Sequence, residues 1–181
     1  MSPEDPFRHP RRDPQTRGLG ATFIVLGWVF AIGLLAFLFD GWYDRQYNPN
    51  TSVAGRALDG GTAEVELIAN RRGHYVASGA INGVGAVFLV DTGATSIAIP
   101  GAVAERFNAA PGRPIQLQTA NGVSTGYLTT LETVRLGNIE LSNVEGIIAP
   151  GFQGEEVLLG MSFLKHLDIQ QSDRTLTLRT R

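Results

Sequence analysis

A stretch of 22 residues without a charged side chain, close to the N-terminus, constrains this chain more than any other feature. Residues 18–39 read GLGATFIVLGWVFAIGLLAFLF. An α-helix needs about 20 consecutive apolar residues to cross the hydrocarbon core of a bilayer. The run also lacks the polar stripe that a helix shows when it packs on a soluble core. The sequence therefore predicts a transmembrane helix at residues 18–39, with the folded domain elsewhere in the chain.

Two other interpretations of this run are a buried core helix and a cleaved signal peptide. The missing polar stripe argues against the core helix. A signal peptide ends in a small-x-small cleavage site, whereas here Phe39 is followed by Asp40 and Gly41. The sequence therefore favours an uncleaved membrane anchor.

The charges on either side of the run predict its orientation. Two aspartates and a single arginine follow it, whereas four arginines precede it: Arg8, Arg11, Arg12 and Arg17. Positively charged flanks stay on the cytoplasmic side of a membrane. We therefore expect a single-pass protein of the inner (cell) membrane, with its N-terminus in the cytoplasm and its C-terminal part outside it, in the periplasm of a bacterium.

The rest of the chain divides into three parts by composition. Residues 1–17 hold four prolines and many charges, which predicts a disordered cytoplasmic tail. Residues 40–62 are rich in Gly, Asn and Asp and lack periodicity, which predicts a linker. The folded domain is expected at residues 63–181.

Strand patterns dominate this domain. Residues 63–70, AEVELIAN, alternate apolar and polar side chains, and Asn82-Gly83 and Asn121-Gly122 are typical two-residue hairpin turns. Residues 100–108 and 161–169 suit one short helix each. The sequence therefore predicts an all-β domain with a small closed sheet.

Composition excludes several kinds of chemistry. The chain has no cysteine, so disulfides, thiolate catalysis and cysteine-bound metals are excluded. The net charge of −2 gives no indication of nucleic-acid binding. His74 and His166 lack metal-ligand spacing and are read as solvated or locally bonded. We expect no metal and no cofactor.

Asp91 is the residue that calls for an explanation. It interrupts the otherwise apolar residues 87–100, VFLVDTGATSIAIP, although burying a lone carboxylate is costly. Gly93 would let the backbone turn tightly and approach the carboxylate. The structural alternative is a turn-forming Asp before Thr-Gly, which leaves the apolar approach unexplained.

Two motifs together resemble a known family. Val90-Asp91-Thr92-Gly93-Ala94, followed later by Leu158-Leu159-Gly160, resembles the signature of retropepsin-like (single-lobe, clan AA) aspartic proteases, and in particular of bacterial membrane-anchored members. The resemblance covers about residues 63–181, and it implies that the strand Leu158-Leu159-Gly160 runs beside the Asp91 loop. It implies an all-β, single-lobe retropepsin-like closed β domain with one short helix near the C-terminus, preceded by one N-terminal transmembrane helix.

The resemblance also implies the roles of the motif residues. Asp91 would be catalytic, and Thr92, Gly93 and Ala94 would support it. In such enzymes one carboxylate acts as general base on a water molecule, while a second, protonated carboxylate polarises the scissile carbonyl. Neither a metal nor a covalent intermediate is needed.

The second carboxylate must come from another copy of the chain. The sequence contains no second Asp-Thr-Gly or Asp-Ser-Gly, and Asp168 and Asp173 stand in different contexts. The resemblance therefore implies a homodimer in which Asp91 of each subunit meets on a two-fold axis. A membrane anchor would favour this dimer by raising the effective concentration.

The resemblance further implies a flap over the site, with Ala120, Asn121 and Gly122 at its tip as substrate-binding residues. The alternative is a plain hairpin turn. The chain departs from retroviral enzymes at Thr95 and Met161, where those enzymes carry an Asp and an Arg that pair.

These observations predict a membrane-anchored aspartic endopeptidase that cleaves extended polypeptides, its own linker at residues 40–62 being one candidate. The alternative is a catalytically inactive, membrane-anchored peptide-binding or oligomerisation module of the same fold. A third alternative is a lytic transglycosylase or another carboxylate-pair hydrolase, but the sequence shows no second placed acid. Glu155 and Glu156 are read as a solvated turn, because adjacent residues on a strand face opposite ways.

Overall fold

The computed structural model describes residues 15–57, 61–119 and 122–181. By their internal contacts they form two units, one up to Tyr43 and one from Asp44 to Arg181. The elements, in chain order, are α1 (Gln15–Tyr47), β1 (Gly55–Ala57), β2 (Ala63–Ile68), β3 (Val76–Ile81), β4 (Val84–Val90), β5 (Ile97–Pro100), β6 (Pro114–Thr119), β7 (Gly122–Leu136), β8 (Ile139–Ala149), β9 (Val157–Leu159), α2 (Met161–Leu164), β10 (Leu167–Ser172) and β11 (Thr175–Thr180).

Helix α1 contains the apolar run. Its stretch Thr22–Phe39 is long and apolar enough to cross a membrane and has no buried residue, although a signal sequence near an N-terminus meets the same description. The helix also continues past the predicted end at residue 39, as far as Tyr47. Pro49 explains this end, because proline disfavours helical backbone in the residue before it.

The described part of the second unit forms two β-sheets. One has the strand order β1-β2-β11-β10 and is antiparallel throughout. The other has the order β3-β4-β9-β5-β8-β7-β6, and β3 also pairs with β7, which closes the sheet on itself. This unit is thus mostly β with the short helix α2 near the C-terminus, which confirms that part of the predicted all-β fold.

The hairpin turns agree with the sequence in one case and differ in the other. Asn82 and Gly83 connect β3 to β4 with φ values of 49° and 78°, as a two-residue turn requires. In the β6–β7 hairpin, Gly122 already pairs with Thr119 as part of β7. Gly122 is therefore a strand residue rather than part of the predicted Asn121-Gly122 turn, and residues 120–121 lie outside the described residues.

Helical structure is shorter than the sequence patterns indicate. The segment predicted as a helix at residues 100–108 forms two 3-10 turns, Gly101–Val103 and Glu105–Phe107. Helix α2 ends at Leu164 because the chain enters β10 at Leu167. Local helix propensity is a weak determinant, and here the neighbouring strands override it.

The core consists of apolar side chains from both sheets and both short helical segments. Val65 and Leu67 of β2 are fully buried. Three phenylalanines far apart in the chain are also fully buried: Phe88, Phe107 and Phe163. Burial of each such side chain contributes about 1.5–3 kcal/mol, so this cluster fixes the strands that carry the Asp91 loop.

Part of the predicted linker at residues 40–62 belongs to the folded domain in the structure, namely residues 48–57. Asn48 and Asn50 are buried within the second unit, and β1 pairs with β2. Asn48 and Asn50 contact the domain through their side-chain amide groups. Such polar contacts leave no hydrophobic periodicity in the sequence, so sequence patterns do not show that this segment is part of the domain. The domain therefore extends upstream of Ala63.

Candidate active site

Asp91 begins the loop that connects β4 to β5. Strand β9 lies between these two strands in the sheet. It is parallel to β4, with Leu159 opposite Val90, and antiparallel to β5, with Leu158 opposite Ala98. Leu158-Leu159-Gly160 therefore runs beside the Asp91 loop, as the sequence resemblance implies.

Backbone hydrogen bonds hold this loop against β9. The N–H of Asp91 donates to the carbonyl of Leu159 at 3.2 Å, and the N–H of Ala94 donates to the carbonyl of Asp91 at 3.3 Å. The N–H of Met161 donates to the carbonyl of Ala94 at 2.8 Å. The loop is thus fastened at both ends to the segment that contains Gly160.

The carboxylate of Asp91 is oriented by its own turn. Its Oδ1 atom accepts a hydrogen bond of 2.8 Å from the N–H of Gly93. Hydrogen bonds to an ionised acceptor are stronger than neutral ones, so this bond holds the side chain in one direction. The Oδ2 atom of Asp91 has no hydrogen-bond partner within the described part of the chain and is available for chemistry.

Gly160 is required by the close approach of the Asp91 loop. A Cβ atom at this position would lie 2.4 Å from the carbonyl oxygen of Ser96 and 2.7 Å from that of Ala94. Both atoms belong to backbone that cannot move without displacing the loop. Only glycine therefore permits β9 and the Asp91 loop to pack this tightly.

Two serines that the sequence did not single out complete the support. The Oγ of Ser162 accepts a buried hydrogen bond of 3.0 Å from the N–H of Ile97, where β5 begins. The Oγ of Ser96 donates to Glu145 Oε1 at 3.1 Å. The only available signal was a small polar residue within the apolar segment 161–164, and this is weak evidence.

The loop presents its motif on the surface of the single chain. Thr92 and Gly93 are exposed, whereas Asp91 and Ala94 are half-buried. Thr95, at the position of the retroviral Asp, is exposed as well. These residues can therefore meet a second copy of the chain or a substrate.

The two other aspartates that the sequence offered, Asp168 and Asp173, have surroundings of their own. Asp168 pairs with Arg181 at 2.9 Å, and Asp173 has a φ of 51° between β10 and β11. Within the described ranges, no group of three or more His, Cys, Asp or Glu side chains could hold a metal. The chemistry of the described site thus depends on Asp91.

The candidate flap is described only up to its tip. Gly122 has a φ of 109° and pairs with Thr119, and Val123 beside it is strongly exposed. Ala120 and Asn121 lie outside the described residues, so their role as flap tip stays a prediction.

The sequence of this chain is similar to those of known proteins. Residues 77–166, which include both motifs, match the family model "gag-polyprotein putative aspartyl protease". An uncharacterized protein in the cobV 5' region of a Sinorhizobium species is 33% identical over 166 residues, covering 88% of this chain and 70% of that protein.

Solved structures are similar as well. A retropepsin-like aspartic protease from Rickettsia conorii is 27% identical with a TM-score of 0.57, covering 71% of this chain and 96% of that one. The EIAV protease is 20% identical with a TM-score of 0.41, covering 51% of this chain and 86% of that one.

Proposed function

This chain belongs to the family of retropepsin-like aspartic proteases, and we propose that it is a membrane-anchored aspartic endopeptidase that acts as a homodimer. One observation carries the proposal. Asp91 lies in a loop fastened to β9, with Oδ1 held by Gly93 and Oδ2 without a partner in the described chain. Such a carboxylate is pre-oriented for acid–base chemistry.

The proposed reaction needs two copies of Asp91. Two carboxylates in close contact share one proton, because both cannot be ionised at that distance. The ionised one takes a proton from water, whose oxygen attacks the peptide carbonyl carbon, and the protonated one donates to the carbonyl oxygen. The C–N bond of the resulting tetrahedral intermediate then breaks. The leaving nitrogen receives the proton that the first carboxylate took from water, and the second carboxylate takes back a proton from one hydroxyl as the carbonyl re-forms. No covalent link to the enzyme forms.

The exposure of the motif supports a homodimer. Thr92 and Gly93 are open to solvent in the single chain, so a second copy can approach along a two-fold axis and bring its own Asp91. We propose that Thr92 hydrogen-bonds to the opposite loop. Ala94 is small and leaves room for a substrate backbone.

We propose that residues 18–39 anchor the enzyme and that residues 1–17 stay in the cytoplasm. The exposed apolar stretch Thr22–Phe39 supports the anchor, and the arginines that precede it support the orientation. The protease domain would then act outside the cytoplasm. Confinement of the anchors to one membrane would favour the dimer.

The proposed substrate is an extended polypeptide segment held under a flap formed by Ala120, Asn121 and Gly122. A strand bound this way pairs through its backbone, and closure excludes water from the reaction. A substrate must therefore have free backbone groups. This disfavours the segment around Asn50 in the chain's own predicted linker, because the backbone N–H of Asn50 already donates to Asn48 Oδ1 and its carbonyl accepts from the N–H of Ser78.

The test is cleavage of a peptide library by the full-length protein in detergent micelles, with the cleavage sites identified by mass spectrometry. Asp91→Ala and Asp91→Asn should abolish cleavage, whereas Asp173→Asn should cleave as the wild type does. Asn tolerates the φ of 51° at position 173, so this control removes a carboxylate without straining the backbone.

Cleavage by the Asp91 variants at the wild-type rate would sink the assignment. A wild-type protein that forms dimers but cleaves nothing would favour the alternative, an inactive binding or oligomerisation module.

A further inference from the structure

Three residues at the end of helix α1 and just after it, Tyr47, Asn48 and Asn50, are hydrogen-bonded to β2, β3, Asn70 and Glu156. We call residues 47–50 the latch. Asn48 and Asn50 are less than one-tenth exposed, which is unusual for uncharged amide side chains. Buried polar groups need hydrogen-bond partners, and those partners show what the latch holds.

Asn50 joins the two sheets. Its Nδ2 donates to the carbonyl of Ile68 at 2.9 Å and to that of Val76 at 2.7 Å. Its Oδ1 accepts from the N–H of Ile68 at 2.8 Å, and its backbone carbonyl accepts from the N–H of Ser78 at 3.0 Å. Because Ile68 ends β2 while Val76 and Ser78 lie in β3, a single side chain bridges both sheets.

Asn48 fixes the shape of the latch itself. Its Oδ1 accepts from the N–H of Asn50 at 3.0 Å, which is the geometry of an Asx turn. Its Nδ2 donates to Ser78 Oγ at 3.0 Å. The segment is therefore held in one conformation against β3.

Tyr47 binds Glu156, in the segment that leads into β9, and Asn70, which follows β2. Its hydroxyl donates to Oε1 of Glu156, and its carbonyl accepts from Asn70 Nδ2 at 3.2 Å. Both Tyr47 and Glu156 are half-buried. Glu156 directly precedes Val157, the first residue of β9.

Two series of contacts connect the latch to Asp91, one through β3 and β4 and the other through β9. Val76, which Asn50 binds, pairs with Leu89 of β4, and the neighbouring carbonyl of Tyr75 accepts from the N–H of Val90 at 2.9 Å. On the other side, β9 ends at Leu159, whose carbonyl accepts from the N–H of Asp91. The latch therefore binds β3, which pairs with β4, and Glu156, which leads into β9. Strands β4 and β9 in turn hold the catalytic loop.

We propose that Tyr47, acting through Glu156, is a positioning residue for Asp91, an inference that rests on the proposed peptidase function. Strand β9 has only three residues, so a side chain tied down at its beginning limits fraying of the strand. Loss of that bond would let Leu159, and with it Asp91, move away from the reactive geometry. A misplacement of about 1 Å costs up to about a hundredfold in rate.

The proposal predicts a specific kinetic pattern. Tyr47 does not contact the proposed substrate, so its variants should change kcat while KM stays within about twofold of wild type, because ground-state binding is unchanged. Tyr47→Phe and Glu156→Ala should each lower kcat about tenfold. Glu156→Gln keeps a carbonyl acceptor for the hydroxyl and should restore most of kcat.

The experiment uses the full-length protein in detergent micelles. Kinetics are measured on a peptide that the wild type cleaves, and amide hydrogen exchange is measured in parallel by mass spectrometry. The matched control is Glu155→Ala, which makes the same change as Glu156→Ala one residue away, at a strongly exposed side chain that pairs with Arg106 at 3.8 Å, and it should keep the wild-type kcat.

In Tyr47→Phe, exchange should accelerate in residues 89–93 and 157–160, while the β10–β11 hairpin stays as in wild type. Wild-type exchange at residues 89–93 would overturn the proposal. So would acceleration that also includes β10 and β11, because this would show a general loss of stability. If the wild type shows no Asp91-dependent cleavage, the proposed function fails, and the exchange result still decides whether the latch positions the loop.

Discussion

The backbone N–H of Asp91 donates a hydrogen bond of 3.2 Å to the carbonyl of Leu159. This bond joins the first residue of the Asp91 loop to β9, a strand that is distant from it in the sequence. Because Gly160 follows directly and allows backbone contact, the loop cannot move without moving β9. The position of Asp91 is thus a property of the whole closed sheet.

Mixing of subunits tests whether two chains share one active site. Wild-type protein mixed with about three equivalents of Asp91→Asn chain should retain about a quarter of its activity once subunits have exchanged, because mixed dimers lack one carboxylate. Activity is measured by cleavage of a reporter peptide, directly after mixing and after exchange. Full activity at both times would contradict the shared site.

Substitution of Gly160 tests the close approach of β9 to the loop. Gly160→Ala places a Cβ against two backbone carbonyl oxygens and should cost about 3 kcal/mol, which lowers the apparent Tm by about 10 °C. Thermal unfolding of the full chain measures this change. Gly85→Ala is the matched control, because a Cβ there meets nothing within 4 Å. Equal Tm values for the two variants would contradict the steric argument.

Substitution of Ser162 tests the hidden support of β5. Ser162→Ala leaves the buried N–H of Ile97 without its 3.0 Å partner and should cost about 1–3 kcal/mol. Denaturant unfolding is compared with that of Ser142→Ala, a variant at an exposed serine of β8. If both variants unfold at the wild-type denaturant concentration, Ser162 does not support the strand.

Substitution of Asn50 tests the bridge between the sheets. Asn50→Ala removes three side-chain hydrogen bonds to Ile68 and Val76 and should cost about 3 kcal/mol, since each is worth about 0.5–1.5 kcal/mol. Thermal unfolding measures the loss, with the exposed amide variant Gln171→Ala as control. An Asn50→Ala protein with unchanged Tm would show that residues 48–50 are a free linker after all.

Much of the architecture was predictable because its signals are local. Asn82-Gly83 predicts a hairpin, since only a few residue types adopt positive φ readily, and the structure confirms it. The Asp-Thr-Gly and Leu-Leu-Gly motifs predict their own juxtaposition through resemblance. The apolar run predicts a long helix because a bilayer or a buried core is the only environment for it.

The supporting contacts were not predictable in this way. The roles of Ser162, Asn48 and Asn50 depend on which backbone groups lie opposite them after folding, and a polar side chain carries no periodic signal of its partner. The extension of the domain upstream of Ala63 was missed for the same reason.

The sequence by itself determined the mostly-β class, the apolar helix and the motif that carries the family. Hydrophobic periodicity and turn chemistry act over a few neighbouring residues and can be read along the chain. Only the tertiary structure decided that β9 lies between β4 and β5, that Gly160 contacts the Asp91 loop, and that Tyr47 binds Glu156. These contacts join residues distant in sequence, and they form only when packing of the closed sheet brings those residues together.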